Sequence, residues 1–547
     1  MKIRLNIKNR GVKMGLLTLM VITIQFSISG GDVFAQDTYQ VGTASVSTEP
    51  DGQLFSVAMS GYGYPPEGRF SLEWIKAGSD IEALPSNFIS ITGIEGMHGA
   101  FYAVDSAGNL WKGEADENGK MSRITNATNT ENVYTNNKSN HPTFHWVKIS
   151  TAQGQKLRAV AGTAKQLFAL DQQGRLLQSK GAKKKHSSSH GDNQKADFKW
   201  EVIRPASDFR YLADLKGQLF AADGQQIARL DPSIANSSWQ VIKTGSDNTD
   251  ITGIRSIAAV QSEERLLVIN DHDSLWYVSP FKESVAWRQV GRFNGVTYDV
   301  HLNAIGVLNN HLFAISKDHH LFVGRHSTDG NLCANTIAIK DAHKTIAIMG
   351  IDLTGFDHTL TEAVKDMVHK DRGIDKSAIL INASHTHFPP TAQAYPAWGS
   401  FLKHPDTIYL NLLKNAMVRS IEKALDNMKP AKLYFGRGQT NIGLNRASEN
   451  PDSPLDHTLD VLAVKDLGGK IKSVLFLTPC HAVFNNSGKE GYTLSANFPG
   501  VTRGLIKEKL GVPSVFIQGC AGDINPRSDN HVVTGTELTA NIFHILD

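Results

Sequence analysis

Histidines and acidic residues in the last third of the chain form four clusters with the side chains of a hydrolytic metal site. Asp352 lies in GIDLTGFD, His385 and His387 in NASHTHFPP, His481 in TPCHAVFNN and Asp523 in QGCAGDINP. Zn²⁺ binds neutral imidazole nitrogens and carboxylate oxygens, and its catalytic sites keep one position open for water. The residue types therefore predict a zinc site, with Asp352 and Asp523 as candidate carboxylates. Either acid could instead cap a turn or orient a ligand.

The clusters follow segments with the pattern of buried strands. Strands alternate with amphipathic helices in this region, which predicts an α/β fold. Chemistry in such sheets lies at the carboxyl ends of the strands, so the four clusters are expected to meet there. The predicted strands are 345–353, 377–383, 431–436, 459–464, 473–477 and 514–518, and the predicted helices are 359–369, 406–428 and 501–510.

The middle of the chain has a different pattern, a repeated β-hairpin with an Asp/Gly turn. The spacings of 67, 52, 47 and 46 residues between hairpins are typical of propeller blades, so an all-β propeller of about five blades is predicted over residues 73–326. The hairpins start at Phe101, Phe168, Phe220, Leu267 and Phe313. A tryptophan opens a further strand before each hairpin, at Trp74, Trp146, Trp200, Trp239 and Trp287.

The repeats resemble the propellers of tectonin and tachylectin type. Tachylectin-like propellers bind sugars, so the resemblance implies a glycan or cell-surface ligand. The alternative is that the aromatic residues fill the space between blades, and this alternative leaves no individual residue to name as sugar-binding.

The clusters that could hold zinc stand in motifs that resemble those of the neutral ceramidase family. The resemblance implies that a ceramidase-like α/β metal domain is discontinuous, with segments 37–72 and 327–547 on either side of the inserted propeller. The matching motifs are Ser384–Pro390 (SHTHFPP), Asn445-Arg446, His481, Asn497–Gly500 (NFPG), Gly522–Pro526 (GDINP), Val41–Val46 (VGTASV) and Met59–Gly63 (MSGYG).

Carried over by position, the resemblance implies that His385 and His481 bind one Zn²⁺ per chain. It implies that His387 and Arg446 hold the polar head of the substrate or stabilise its oxyanion, with Asp523 as a further catalytic candidate and Asp352 as a possible additional ligand. The implied reaction is hydrolysis of an N-acyl amide such as ceramide.

Three departures from the family pattern bear on this expectation. The serine of the Gly-Asp-x-Ser-Pro motif is Asn525, and the Ser-Gly-Pro after the two histidines is Phe388-Pro389-Pro390. The family's remaining zinc ligands, a Glu and a Tyr, lie farther downstream than Asp547, so a C-terminal truncation stays open. A second function class also stays open, a non-catalytic lectin-like protein whose ceramidase domain is degenerate or truncated.

Residues 1–35 have the features of a cleavable signal peptide, namely a basic start, an apolar run over 15–26 and Val33-Phe34-Ala35 at the cleavage site. This predicts a secreted or periplasmic protein without a transmembrane span in the mature chain. A net charge of +3 gives no field that would attract nucleic acid. Of the three cysteines, Cys480 and Cys520 are the better candidates for a disulfide, and three free thiols are the alternative.

Overall fold

The computed structural model of the 547-residue chain describes residues 38–50, 58–60, 71–77, 84–94, 99–115, 144–149, 154–163, 166–180, 199–242, 251–281, 285, 287–292, 301–394, 405–448, 450, 453–483 and 489–547. The predicted signal peptide, residues 1–35, lies outside the described residues. Among the described residues, no helix combines the length and apolar character that crossing a bilayer requires.

The chain begins with β1 (Tyr39–Ser47) and continues, from β2 (Leu72–Lys76), into a ring of four-stranded antiparallel sheets. The first four sheets are β3 (Phe88–Ile94), β4 (Ala100–Asp105), β5 (Leu110–Ala115) and β6 (Phe144–Ile149); β7 (Leu157–Thr163), β8 (Gln166–Asp171), β9 (Arg175–Lys180) and β10 (Lys199–Ala206); β11 (Tyr211–Leu215), β12 (Gln218–Ala222), β13 (Ile227–Leu230) and β14 (Gln240–Val241); and β15 (Ser256–Val260), β16 (Arg265–Ile269), β17 (Ser274–Val278) and β18 (Arg288–Arg292). The fifth sheet is β19 (Leu302–Leu308), β20 (His311–Ser316) and β21 (Leu321–His326), completed by β2.

The ring closes because its first strand completes its last blade. Strand β2 pairs antiparallel with β21, with Leu72 opposite His326. The prediction of a five-bladed propeller is therefore confirmed. The tryptophans before the hairpins lie on or next to the outer strand of the preceding blade in the ring, as Trp146 on β6, opposite Gly113 on β5, illustrates.

The repeated residues stabilise the blades in two ways. The aromatic residues at the hairpin starts are core, since the side chains of Phe101, Phe220 and Phe313 are 0% exposed. The repeated aspartate closes the hairpin turn: Asp105 Oδ1 accepts the Asn109 N–H at 2.8 Å, and Asp171 and its turn follow the same pattern. These contacts support the interpretation of the repeat residues as blade core and turn.

The rest of the described chain, with β1, forms the α/β part of the molecule. Its eight-stranded sheet has the order β24-β23-β22-β1-β25-β27-β28-β29, in which only the β23–β24 and β28–β29 pairs are parallel. The elements are β22 (Cys333–Lys340), β23 (Thr345–Ile351), α1 (His358–Arg372), β24 (Ile379–Ala383), α2 (Thr407–Asp426), β25 (Lys429–Gln439), β26 (Gly443–Asn445), β27 (Thr458–Asp466), β28 (Ile471–Thr478), α3 (Asn497–Leu510), β29 (Ser514–Gln518), β30 (Ile524–Pro526) and α4 (His531–Leu546).

The sheet folds over so that its two halves pack face to face. Helices α1 and α2 cover the half that contains β22 to β24, and α3 and α4 cover the half that contains β25 to β29. The approach is close enough that a Cβ on Gly350 would lie 2.1 Å from Phe516 O, which only glycine permits. As a result, the carboxyl ends of β24 and β29 meet although these strands are the two edges of the sheet.

Two observations connect the propeller to the α/β part. Strand β1 precedes the propeller in sequence, yet it pairs with β22, which follows the propeller, over Gln40–Ser47. Arg265 of β16 also forms a buried ion pair with Asp406, with Nη2 and Oδ2 2.8 Å apart. Asp406 in turn caps α2 by accepting the N–H groups of Ile408 and Tyr409. Arg265 of the propeller is thus paired with the residue that caps α2.

Candidate metal centre

Three of the histidines singled out in the sequence meet at one point. The ring centroids of His385 and His481 are 4.6 Å apart, and the ring of His387 lies 5.0 Å from the first and 5.3 Å from the second. Each residue offers one donor atom, and these three atoms lie within 4.8 Å of one another. Two nitrogens on one tetrahedral zinc are about 3.4 Å apart, so small side-chain rotations would let all three share an ion.

The loops after two strands carry these side chains. His385 and His387 follow β24, and His481 follows β28, as the positions at strand ends predicted. His385 has a φ of 59°, a left-handed conformation that a residue with a side chain rarely adopts. Backbone strain of this kind is held only where the surroundings fix it, and the neighbouring loops do so here.

Gln518, at the end of β29, ties the two histidine loops together. Its Nε2 donates to Ser384 O at 3.1 Å and to Cys480 O at 2.7 Å, and its Oε1 accepts the Cys480 N–H at 3.3 Å. Asn382 holds the main chain of Gln518, because its Oδ1 accepts the Gln518 N–H at 2.8 Å. The residues before His385 and His481 are therefore hydrogen-bonded to the same side chain.

Backbone carbonyls set the tautomers of two of the rings. His385 Nδ1 lies 2.6 Å from Thr354 O, and His481 Nδ1 lies 2.9 Å from Ala521 O. A carbonyl oxygen only accepts, so both Nδ1 atoms carry the proton, and in the neutral ring Nε2 keeps its lone pair. This is the arrangement in which metal-binding histidines are usually held.

The site favours neutral imidazole at His481. Burial lowers the pKa of His481 to about 4, and the nearby charges of His385 and Arg446 add to the effect, while the hydrogen bond to Ala521 O opposes it. Its Nε2 is buried and has no hydrogen-bond partner among the described residues. A buried lone pair without a partner is costly, and a metal ion is a group that would satisfy it.

A two-stranded ribbon brings Arg446 and Asp523 beside His481. Strands β26 and β30 pair antiparallel, and the His481 N–H donates to Ile524 O at 2.9 Å. The Arg446 side chain donates through Nε to Gly522 O at 3.0 Å, and its Nη1 lies 3.5 Å from Asn525 Oδ1. The cationic Arg446, which lowers the pKa of His481, is thus close to the histidine group.

Asp523 and Asp352, the two candidate carboxylates, differ in their exposure and in their partners. Asp523 is exposed, and its main-chain oxygen accepts the Arg446 N–H at 2.8 Å. Asp352 is buried and paired with Arg503, whose two Nη atoms lie 3.1 and 2.6 Å from the two carboxylate oxygens. The Cys333 N–H also donates to Asp352 Oδ2. The structure therefore does not bring Asp352 to the three histidines, because both its oxygens serve other groups.

The Phe388-Pro389-Pro390 segment forms part of an apolar wall next to the histidines. Phe388 is 1% exposed and packs with Met59, Leu332, Leu494 and Ala496. The Ser60 N–H donates to Pro389 O at 2.9 Å, which connects the start of the predicted glycine turn to this wall. The rest of that turn, residues 61–63, lies outside the described residues.

All three cysteines are free thiols, so the disulfide between Cys480 and Cys520 is not formed, and the alternative of three buried free thiols is right about the thiols but about burial only for Cys480. Cys480 is buried and Cys520 is exposed, although both lie in loops beside the histidines. Burial raises the pKa of the Cys480 thiol well above its usual range, so this group is unreactive at neutral pH.

Sequence analysis overlooked Gln518 and Asn382. Gln518 is the first residue of the segment QGCAGD, in which Asp523 was the candidate, and its position at the carboxyl end of a strand was the available signal. Replacing Gln518 by alanine is expected to lower zinc affinity about 10–100-fold, because a group that holds the ligand loops is lost. Gln518→Glu should also weaken binding, since it removes the donor to both carbonyls. Zinc titration against a competing chelator measures this, and an affinity equal to that of the wild type would contradict it.

Comparison with known proteins adds a resemblance in sequence. No family model matches the chain. It is 25% identical over 168 residues to the neutral ceramidase of Pseudomonas aeruginosa, a match that covers 28% of this chain and 25% of that protein. The chain thus matches about a quarter of the length of this curated relative.

Two solved structures are among the similar folds. The crystal structure of the neutral ceramidase from Pseudomonas aeruginosa is 20% identical, with a TM-score of 0.37, over 41% of this chain and 40% of that one. A ceramidase complexed with C2 is 21% identical, with a TM-score of 0.36, over 39% of this chain and 38% of that one. Over its matched 168 residues, the chain resembles neutral ceramidase in sequence.

Proposed function

We propose that this chain, similar in part to neutral ceramidase, is a zinc-dependent amidohydrolase that cleaves an N-acyl amide such as ceramide. The observation that carries the proposal is the group of three histidines with a buried, unpartnered Nε2 on His481. The histidines stand in the two segments that match the family motifs, and their Nδ1 atoms already donate to the protein backbone. Residue types, tautomers and burial all fit a zinc ion.

His385 and His481 would hold the zinc, through Nε2 in each case. Zinc supplies hydrolytic chemistry by lowering the pKa of a coordinated water to about 7. His387 would be either a third ligand or, as its position in the motif implies, a group that binds the polar head of the substrate. The neutral state of His481 favours ligation at neutral pH, because an imidazolium has no lone pair to offer.

Arg446 would bind the carbonyl oxygen of the scissile amide as negative charge develops on it. A guanidinium suits this role because it keeps its charge at all working pH values and offers several donors in one plane. Asn525, next to Arg446, has no ionisable hydroxyl and forms no acyl-enzyme. Hydrolysis at this site therefore proceeds without a serine nucleophile at position 525.

The proposal also covers the domain organisation of the chain and its export. The propeller, about residues 73–326, would be inserted into a discontinuous metal domain of residues 37–72 and 327–547, as the pairing of β1 with β22 supports. Residues 1–35 would direct export, and the protein would act outside the cytoplasm. Binding of a glycan or cell-surface ligand by the propeller stays a prediction from the tachylectin-like repeats.

Hydrolysis of a fluorogenic N-acyl sphingoid amide by the purified full chain tests the proposal. The expected result is turnover that a chelator abolishes and that added Zn²⁺ restores, with the His385→Ala variant as the blank. The rate should rise with pH through neutrality, as a group with the pKa of zinc-bound water ionises. A folded protein that binds no zinc and cleaves no amide would instead favour the non-catalytic binding protein.

A further inference from the structure

A small cavity lies at the centre of the propeller. Strands β3, β7, β11, β15 and β19 contact one another in a ring and supply all of its lining residues except Gln261, which follows β15. The cavity has a volume of about 20 Å³, which is room for about one water-sized occupant. The strands approach closely, since a Cβ on Gly93 would lie 2.0 Å from Val307 O. An occupant larger than a small ion or a water is therefore excluded.

One carboxylate interrupts an otherwise uncharged ring around this cavity. The strand register defines a matching position in each blade, which is the residue opposite the one four places before the turn residue of the hairpin. The turn residues are Asp105, Asp171, Asp223, Asn270 and Ser316. In four blades the matching residue is glycine or apolar, and in the third blade it is an aspartate. The five residues, in blade order, are Gly93, Gly162, Asp214, Ala259 and Val307, and all of them line the cavity. Packing of the repeat does not require a charge at this position.

The carboxylate of Asp214 is only half satisfied. Asp214 is 3% exposed, and its Oδ1 accepts the Gly217 N–H at 3.3 Å. Its Oδ2 is buried and has no hydrogen-bond partner among the described residues. Gln261, the nearest amide in the lining, is engaged elsewhere: its Nε2 donates to Asp214 main-chain O at 2.6 Å and its Oε1 accepts the Lys216 N–H.

A proton, a donating water or a counter-ion could satisfy the free oxygen of a buried carboxylate, and of these a water leaves the negative charge in place. Burial raises the pKa of Asp214 to about 6, so above neutral pH the group is mostly ionised and the proton does not suffice. A monovalent ion neutralises one carboxylate without leaving excess charge in an apolar ring. Ca²⁺ and Mg²⁺ require more anionic oxygens or a shell of waters, for which this volume has no room.

We propose that the central cavity of the propeller binds one small monovalent cation, of the size of Na⁺ or K⁺, through the carboxylate of Asp214. A bound ion would neutralise the buried charge at the axis of the ring and so stabilise the propeller. This site is separate from the three histidines, and the proposal does not depend on the amidohydrolase activity.

Thermal unfolding of the full chain at about pH 8 tests the site, with NaCl, KCl or tetramethylammonium chloride at equal ionic strength. The propeller transition should lie about 2–4 °C higher in the small cation that fits than in tetramethylammonium. Asp214→Asn should lose this difference, while Asp208→Asn, which removes an exposed carboxylate between β10 and β11, should keep it. A difference that persists in Asp214→Asn, or none in the wild type, would overturn the proposal.

Crystals of the wild-type full chain grown in RbCl give a direct readout that does not depend on the folding of a variant. An anomalous peak within about 3 Å of the Asp214 carboxylate is expected, because Rb⁺ replaces K⁺ in oxygen sites. Density without anomalous signal that lies at a hydrogen-bond distance from the carboxylate, and not at the shorter Na⁺–oxygen distance, would identify a water, and that result overturns the proposal.

Discussion

Replacing His481 by alanine is expected to lower the zinc affinity of the chain by at least about 100-fold. The loss should exceed the 10–100-fold effect typical of groups behind the ligands, because His481 would contact the ion itself. Its Nε2 is buried and has no hydrogen-bond partner among the described residues, and its Nδ1 is fixed by Ala521 O. His385→Ala should have the same effect. Zinc content after dialysis, measured by mass spectrometry of the metal, gives the result.

A matched control is His369→Ala. His369 Nδ1 also bonds a backbone carbonyl, Ile374 O at 2.8 Å, but this residue lies on α1 outside the histidine group. Its replacement should leave zinc binding unchanged. His387→Ala separates its two roles, since loss of zinc identifies a third ligand and loss of turnover alone identifies a substrate-binding group. Equal zinc in the wild type, His385→Ala and His481→Ala would mean that the metal site lies elsewhere.

Arg446→Ala is expected to reduce turnover of the amide about 10²–10³-fold while zinc content stays the same. This is the usual cost of removing a donor that stabilises a developing oxyanion. Arg446→Lys should recover little of the rate, because an ammonium does not reproduce the planar fork of the guanidinium. The measurement is kcat of each variant at matched zinc content.

Arg437→Ala is the control for this variant. Arg437 is an exposed arginine paired with Asp460, and its replacement removes the same charge from the same part of the molecule. Its turnover should equal that of the wild type. Loss of zinc in Arg446→Ala would indicate that Arg446 supports the fold of the site, and an unchanged kcat would exclude it from the reaction.

The propeller was predictable because its information is local. Each blade repeats a core aromatic or leucine and a polar turn residue, which is aspartate in three blades, Asn270 in the fourth and Ser316 in the fifth. The same turn contact recurs in the structure, as Asp105 and Asn270 illustrate. The sequence left open which blade each tryptophan strand completes, because strand order along the chain does not determine which sheet a strand joins. Ring closure moves Trp74 next to β21, more than 240 residues away in sequence.

The three histidines of the site could be predicted from the sequence, but the residues and the sheet packing that hold them in place could not. His385, His387 and His481 stand at strand ends in recognisable motifs, and the structure brings them together. The face-to-face packing of the half-sheets, which joins the ends of β24 and β29, leaves no local signal in the sequence.

Hydrogen bonds between residues far apart in sequence also left no local signal. Arg503 pairs with Asp352 across 151 positions, and Gln518 donates to Ser384 across 134. A carboxylate that looked available to a metal was therefore already paired, and a glutamine without a motif holds both histidine loops.

Stoichiometric reconstitution with zinc tests whether the chain is a zinc-dependent amidohydrolase. The full chain is stripped with a chelator and titrated with Zn²⁺ while hydrolysis of the N-acyl sphingoid amide is followed. We expect no turnover without metal, a linear rise to a plateau at one zinc per chain, and no rise in His385→Ala. Turnover that persists in the stripped wild type, or a zinc-loaded and folded wild type that leaves the amide intact, would contradict it.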